Sequence, residues 1–508
     1  MRASRKNILL SAVSLLLAGT LAACGSTNET GGAASPEGKP VASDSAKLSP
    51  VTLKIMFPGD PPANWSEVKG EMENRLAGTL NVKLNVVFIP WADVLQKRQV
   101  ALSSAEDYDL IWDNNPYQNI AAGLYEPLDA ILDKVGPDIK SNRSAQLMEA
   151  NKVNGKLYAV PLEVNFIRPW TFVIRKDIRE KLGIEPIKSY DDLVKFMYAV
   201  KEKAPEITPY IPNGTEHVGI KMAGMLDPKA NLAPISNYPG LYTKGSDGKA
   251  YNIFDNMDPM IMKNFEQNYK LYQDGILAKD TLILKNAEFA KGKAAVSTFN
   301  DFGVALSTRT SLEKSVPGAT AEAFSLYDSS MKLPSTFKAG NFIAVPVVSK
   351  NKERAVQFVN WLNQKDNYDL LAYGIKGKNW EDAGEGLYKP IKENPYAGVP
   401  FAWGWNSKLD RIDASLPEDV IKLNKWQRDP NNFTSDILAG FTFDPSPVSN
   451  EIAQLSSVGK EMYDPIIMGV VEPKAGLAKF KDKAYANIKK IQDEYQKQLD
   501  AFLAGKKK

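Results

Sequence analysis

The chain has 508 residues but only one cysteine and one histidine. A lone cysteine forms no intrachain disulfide, and a lone histidine excludes every metallohydrolase built on a His-x-x-x-His pair. Neither a Gly-x-Ser-x-Gly elbow nor a Gly-x-x-x-x-Gly-Lys-Ser/Thr phosphate loop is present, which removes the common serine-hydrolase and nucleotide-binding signatures. His217 lies in the polar run Pro212-Asn213-Gly214-Thr215-Glu216-His217 and reads as a surface-loop residue, although a Ser-His-Asp arrangement through it stays formally open. Paired carboxylates of the glycosidase kind also stay open, since 60 acidic residues are present. No apolar run reaches the roughly 18 to 20 residues of a membrane-spanning helix.

Excess charge of either sign is lacking as well. Of the 63 Lys and Arg residues, Arg2, Arg5 and Lys6 sit at the extreme N-terminus, so the rest of the chain carries as many basic residues as its 60 Asp and Glu residues. Nucleic acids and anionic polymers select clustered positive charge, so a neutral or weakly charged ligand fits this composition better. With 44% hydrophobic residues the chain can bury a large core, and its length exceeds the usual size of one domain.

The single cysteine is placed informatively. The basic residues are followed by the apolar run Ile8 to Ala18, then by Leu21-Ala22-Ala23-Cys24-Gly25, which is the order of a secretory signal peptide. Cys24 is either a small residue in an ordinary cleaved signal or a lipid anchor. The run resembles the bacterial lipobox, which implies cleavage after Ala23 (signal peptide 1–23) and acylation of Cys24. Residues 25–49 are rich in Gly, Ser, Ala, Thr and Pro and bury too little to order themselves. As a flexible coil they span about 25 to 30 Å, so residues 24–50 are expected to be a lipidated tether.

From residue 51 the pattern alternates strand and helix. Val51, Leu53, Ile55 and Phe57, and then Val82, Leu84, Val86 and Phe88, have the two-residue period of strands, while Trp65, Val68, Met72 and Leu76 between them have helical spacing. A helix over 94–102 and a strand over 109–113 continue this pattern, which predicts parallel βαβ units with ligand loops at the strands' carboxyl ends. Further strands are expected near 155–161, 170–175, 294–299 and 342–346, and helices near 190–203 and 261–275. Asn351 is expected to cap a helix that buries Ala355, Phe358, Val359 and Leu362. Leu477, Phe480, Ile488, Ile491, Tyr495, Leu499 and Phe502 mark one long terminal helix, docked on the chain's own body or on a partner.

Several segments together resemble extracellular solute-binding lipoproteins of carbohydrate ABC importers, in the branch related to maltose-binding protein. These are Asp109-Leu-Ile-Trp112, Gly123-Leu-Tyr-Glu-Pro-Leu-Asp129, Gly155-Lys-Leu-Tyr-Ala-Val-Pro161 with Arg175-Lys-Asp177, Gly292-Lys-Ala-Ala-Val296, and Ser349-Lys-Asn-Lys-Glu-Arg-Ala-Val356. Tyr373-Gly-Ile-Lys-Gly377, Gly440-Phe-Thr-Phe-Asp444 with Pro447-Val448, and the terminal helix bearing Gln498 resemble a subgroup with a dedicated C-terminal region, found mostly in Gram-positive bacteria. The resemblance implies an α/β, type II periplasmic-binding-protein-like fold with two chain-discontinuous lobes and a hinge. Residues 51–161 plus 300–347 would form the N-lobe, and 162–299 plus 348–508 the C-lobe. It also implies a monomeric, non-enzymatic receptor without cofactor or metal. Its partners would be an oligosaccharide or other small solute, the permease subunits of an importer, and the membrane through lipid alone, with no nucleic acid.

Sugar rings pack their C–H faces on aromatic planes and offer hydroxyls to rigid polar partners. Trp91, Trp112, Asp113, Asn115 and Tyr117 at strand ends, and Glu163, Arg168 and Trp170 beside the first crossing between lobes, combine these residue types. Trp112 to Tyr117 correspond by family position to pocket-lining residues, and buried core aromatics are the competing reading. Asn300 and Asp301, after Phe299, sit at the return crossing as ligand contacts or as hinge. Trp403 and Trp405 form a stacking platform in the second lobe or a packed loop. The subgroup often has an acidic residue where Lys376 stands and a Tyr where Trp380 stands. Lys376 therefore suits either an acidic sugar or plain solvent. Beside the carbohydrate receptor, a surface glycoside hydrolase or lyase with a carboxylate pair, and a peptide or metabolite receptor on the same fold, remain readings of the sequence.

Overall fold

The computed structural model describes residues 48–506, apart from 168–170, 237, 246, 285–286, 300–301, 327–331 and 399. Cys24, the signal peptide and nearly all of the tether lie outside the described residues, as do Arg168, Trp170, Asn300 and Asp301.

Two sheets organise the chain. The first has the order Val82–Ile89, Val51–Pro58, Leu110–Asp113, Asn341–Ala344, Ala159–Leu162. Strand 51–58 pairs in parallel with 82–89, from Val51 opposite Val82 to Pro58 opposite Ile89, and on its other edge with 110–113. Strand 341–344 runs antiparallel to both of its neighbours. Strands 82–89 and 110–113 flank strand 51–58 on opposite edges, a reversal of strand order at whose carboxyl ends open α/β sheets form their ligand crevice. The alternation in 51–57 gives way to burial on both faces, with Ile55, Met56 and Phe57 all buried, as expected of a strand covered by helices above and below. Helix Trp65–Ala77 lays Val68, Met72 and Leu76 on one face of the sheet.

The second sheet has the order Ala321–Ser325, Thr171–Arg175, Ala294–Phe299, Thr208–Ile211. Strands 294–299 and 208–211 are parallel, and 171–175 is antiparallel to 294–299. Helix Tyr190–Lys203, N-capped by the Ser189 side chain, covers it with Leu193, Phe196, Met197 and Val200.

Two assignments of segment to lobe differ from expectation. Helix Phe302–Ser315 and strand 321–325, expected in the first lobe, pack on the second sheet through Ala305, Leu312 and Ala321 against Val173 and Phe299. Helix Lys352–Trp361 and the turn Pro400–Ala402, expected in the second lobe, belong to the first core: Ala355, Phe358, Val359 and Leu362 join Leu53, Phe57 and Leu132 there. Amphipathic spacing marks the buried face of a helix and does not mark the sheet that it covers. Asn351 occupies the N-cap position without capping by its side chain; its amide instead donates to Asp109 Oδ1 at 3.2 Å, and the Ser349 hydroxyl donates to the same oxygen at 2.7 Å.

The terminal helix Pro473–Lys506 docks on the chain's own second half. Leu477, Phe480, Ile488, Ile491, Tyr495 and Leu499 share a core with Val218, Phe265 and Tyr463. The motif residues of this region touch one another: Gln498 clasps the backbone of Asp444, accepting from its N–H at 2.8 Å and donating to its carbonyl at 2.9 Å, while Phe441 and Phe443 pack on Tyr495.

Three segments join the halves, following strands 159–162, 321–325 and the small strand Ile412–Asp413. They are bound to each other. Strand Leu333–Ser335 pairs in parallel with Phe433–Ser435, Phe166 N–H donates to the Gln427 carbonyl at 2.9 Å, and the Ser335 hydroxyl donates to the Phe166 carbonyl at 2.6 Å.

Candidate functional site

The carboxyl ends of the first sheet gather an aromatic group whose members have different roles. Trp112 closes a central strand flanked on both edges, and it is 3% exposed. Its indole N–H donates to the buried Asn341 Oδ1 at 3.1 Å. Trp91 follows the edge strand by one proline, and it is 56% exposed. Its ring meets Trp112 edge-on at 5.5 Å and 89°, and stacks on Phe401 at 5.7 Å and 20°. Gly59, with φ 90°, permits this: a Cβ there would stand 3.1 Å from Trp91 Nε1, in a backbone conformation that side chains avoid. The result is an indole held by protein on its edge and one face, with the remaining surface in solvent.

Asp113 is wholly buried and its carboxylate is saturated. Oδ1 accepts from the Asn115 N–H at 2.8 Å and pairs with Arg98 at 3.1 Å; Oδ2 accepts from Asn119 at 2.9 Å and the Tyr125 hydroxyl at 2.8 Å. Burial and this adjacent carboxylate hold the Tyr125 phenol well above its usual range. A carboxylate with that many donors orders the turn after the strand and has nothing left for a ligand hydroxyl. Asn115, by contrast, is exposed, and its side-chain amide has no hydrogen bond among the described residues. Tyr117 is half-buried, its ring edge-on to Phe342 and its hydroxyl accepting from Lys338 Nζ at 3.1 Å. Lys338 also lies 4.5 Å from the Tyr117 ring centroid and donates to Thr442 Oγ1 at 2.6 Å, so it ties this turn to the C-terminal region. Burial pushes the Tyr117 phenol up to about 12 and the Lys338 ammonium down to about 8.

Glu163 is buried at the first crossing. Its Oε1 accepts from the N–H groups of Val164 and Asn165 at 3.0 and 3.3 Å, and Oε2 accepts from the Gly340 N–H at 3.3 Å. One carboxylate thus fixes two of the joining segments to each other. Of the three carboxylates predicted for the site, Asp113 and Glu163 are therefore used by the fold, and Asp301 lies outside the described residues.

Trp403 and Trp405 lie in the first half, not the second. Trp403 is 0% exposed and packs on Phe57 at 4.6 Å, Trp65 at 5.9 Å and Phe358 at 6.0 Å, so it is a core residue and no platform for a ligand. Trp405 is half-buried against the same core and 6.1 Å from Phe401. The residue of this run that reaches the strand-end group is Phe401, which the sequence does not single out beside the larger rings. Lys376 pairs with Asp382 at 3.3 Å and lies 5.6 Å from the ring of Trp380, whose own indole N–H donates to the Gly374 carbonyl at 3.0 Å. The Lys376 side chain is exposed and shares Asp382 with Arg411.

Comparison with known proteins agrees with this architecture. Residues 74–376 match the family described as bacterial extracellular solute-binding protein, and residues 437–504 match a domain of unknown function. A carbohydrate ABC transporter substrate-binding protein of Streptococcus pneumoniae is 26% identical over 99% of both chains. Lipoprotein LipO of Bacillus subtilis is 25% identical over 69% of this chain and 72% of its own. Among solved structures, the N-glycan transport solute binding protein NgtS of Streptococcus pneumoniae has a TM-score of 0.75 at 23% identity, covering 90% of this chain and all of NgtS. Complexes of NgtS with Man1GlcNAc and with Man5GlcNAc give TM-scores of 0.65 and 0.61 at 22% and 23% identity, covering 89% and 90% of this chain and 100% and 99% of NgtS. The chain belongs to the bacterial extracellular solute-binding protein family, and its fold is that of the periplasmic-binding type.

Proposed function

We propose that this extracellular solute-binding protein captures an oligosaccharide between its two halves and delivers it to the permease of an ABC importer, while acyl chains on Cys24 hold it at the membrane. The observation that carries the reading is the Trp91 indole, exposed at the crevice of the first sheet and braced from behind by Phe401 and Trp112. A large aromatic plane kept in water at a strand end, while the neighbouring tryptophans are buried, suits the C–H face of a sugar ring. Asn115, in the turn after strand 110–113, offers an exposed amide on the same edge of the sheet. A ligand that also touches the second half favours a closed arrangement by the difference of its affinities for the open and closed states. The names of the full-length relative, a carbohydrate transporter component, and of NgtS, a glycan-binding protein, support the same reading.

Calorimetry across Man1GlcNAc, Man5GlcNAc and neutral and acidic plant oligosaccharides tests it. Binding of at least one neutral member is expected, and silence across the whole panel would refute the assignment. The hydrolase reading loses its support because the matched family and the relatives named above are substrate-binding transport proteins.

The anchor rests on the run Leu21-Ala-Ala-Cys24 and on the likeness to a lipoprotein. Two or three acyl chains, at roughly 0.8 kcal/mol per buried methylene, hold a protein at a bilayer without a spanning helix. Cys24→Ala is expected to move the protein from the membrane fraction to the medium with unchanged affinity for solute; continued membrane association would remove the anchor from the account.

A further inference from the structure

The second half contains a cavity of about 420 Å³ between residues 215–240 and one face of the helical stretch 456–467, within the size range of small-molecule sites. It starts just past strand Thr208–Ile211. Topology puts the carboxyl ends of strands 208–211 and 294–299 on the edge where strand 171–175 begins, the edge that receives the first crossing from the other half. The cavity therefore begins on the side of the second half that adjoins the crossings.

Its far wall comes entirely from the domain of unknown function. Ser449–Val458 is α-helical, Gly459–Tyr463 widens to a π turn, and Asp464–Ile467 resumes the helix. Positions 459, 460, 463, 464 and 467 share the face that lines the cavity. Such π turns occur often where a helix face is adapted to a function. Gly459 is required at the turn, because a Cβ there would fall 2.4 Å from Pro239 Cγ.

The lining has the chemistry that the predicted residues of the first half lost to the fold. Asp464 is half-buried, and its carboxylate makes no hydrogen bond among the described residues; its one charged influence is Lys460, and burial raises its pKa. The Tyr238 hydroxyl is likewise without a hydrogen-bond partner among the described residues, while its ring is held edge-on by Phe443 at 6.2 Å and 76°. Val218 and Ile467, both buried, give an apolar floor. A half-buried carboxylate without donors is costly to a fold and is relieved by a ligand that brings them. Lys221 and Lys460 line the cavity beside Asp464, so its rim offers cationic donors as well as an acceptor, and a purely apolar ligand would leave Asp464 unsatisfied. A polyhydroxylated ring gives hydroxyl donors to Asp464, accepts from Lys460 and Tyr238, and lays its C–H face on the aliphatic floor.

We infer that this cavity is a carbohydrate subsite for one sugar ring of the captured oligosaccharide, and that supplying it is a role of the C-terminal domain. The inference rests on the oligosaccharide reading. Calorimetry of the lipid-free full-length mature chain with Man5GlcNAc and Man1GlcNAc as probes separates the two. If the subsite is real, Asp464→Asn raises the Kd for the better-bound probe at least tenfold and Tyr238→Phe raises it severalfold, both with unchanged melting temperature. Should Asp464→Asn melt early, Tyr238→Phe, which removes one oxygen, carries the test alone. Wild-type affinity in both folded variants overturns the subsite and leaves the oligosaccharide reading intact. A wild-type protein that binds neither probe, while Trp91→Ala is equally silent, overturns the reading for these glycans and the subsite with it.

Discussion

The strand-end group of the first half and the cavity of the second half handle similar side chains in opposite ways. In the first half the obvious polar and aromatic residues have been taken up by the fold: Asp113 is saturated by four groups, Glu163 binds two crossings, and Trp112 and Trp403 are buried, leaving Trp91 as the large exposed ring. In the second half Asp464 and Tyr238 stand at a cavity without hydrogen-bond partners among the described residues. Whether a residue can serve a ligand is decided less by its type than by whether the protein has already satisfied it.

The widest separation should come from the tryptophans. Trp403→Ala empties a fully enclosed site, and truncation of a buried aromatic costs about 3 to 5 kcal/mol. Trp112→Ala should cost a similar amount. Replacement by Phe distinguishes them. Trp112→Phe strands the buried Asn341 oxygen, adding about 1 to 3 kcal/mol, whereas Trp403 Nε1 has no partner among the described residues to lose. Thermal and denaturant melts of the four variants should place Trp112→Phe below Trp403→Phe; the reverse order would mean that the Asn341 bond contributes little.

Trp91→Ala should do the opposite, with little change in melting temperature and at least tenfold weaker binding of oligosaccharide, about 1.4 kcal/mol. Phe401→Leu should give a smaller loss in the same direction, because it removes the support under the ring and leaves the ring itself. If Trp91→Ala melts early with intact binding, the ring is a structural cover and the site lies elsewhere.

The periodic elements are legible in the sequence. The strands near 51, 82, 110 and 294 and the helices 190–203 and 473–506 follow from spacing, because a buried face must recur with the period of its element. Spacing does not carry partner choice, and the lobe boundaries implied by the family resemblance put segments 302–315 and 352–361 in the other halves. The difference between Trp112 and Trp91 has a readable cause. Trp112 ends the continuous apolar run Leu110-Ile-Trp of a strand buried on both faces, whereas Trp91 follows Pro90 beyond an edge strand. Phe401 and the Asp464 cavity have no such local signal: each depends on a contact between segments far apart in sequence, Phe401 with Trp91 and Asp464 with the 215–240 wall.

Lys338 offers the finest test, because it is the cation that joins the first half's turn to the C-terminal region. It reaches two hydroxyls, those of Tyr117 and Thr442, and has no carboxylate within ion-pair distance among the described residues. Burial lowers its pKa from 10.5 to about 8 in the folded protein, so the fold disfavours its charge. Below about pH 8 the lysine is protonated in both the folded and unfolded states, and the full penalty applies. Between about pH 8 and 10.5 the folded state releases its proton first, the unfolded state binds more protons, and stability rises with pH through this window. The lysine is partly exposed, so solvent screening keeps the effect to about 1 kcal/mol or less. Other lysines and tyrosines titrate in the same range, which makes the informative quantity the difference between wild type and Lys338→Met. That difference should shift in favour of wild type as pH rises from 8 to 10. A difference that does not change with pH would mean that Lys338 keeps its ordinary pKa and that the junction is open to water.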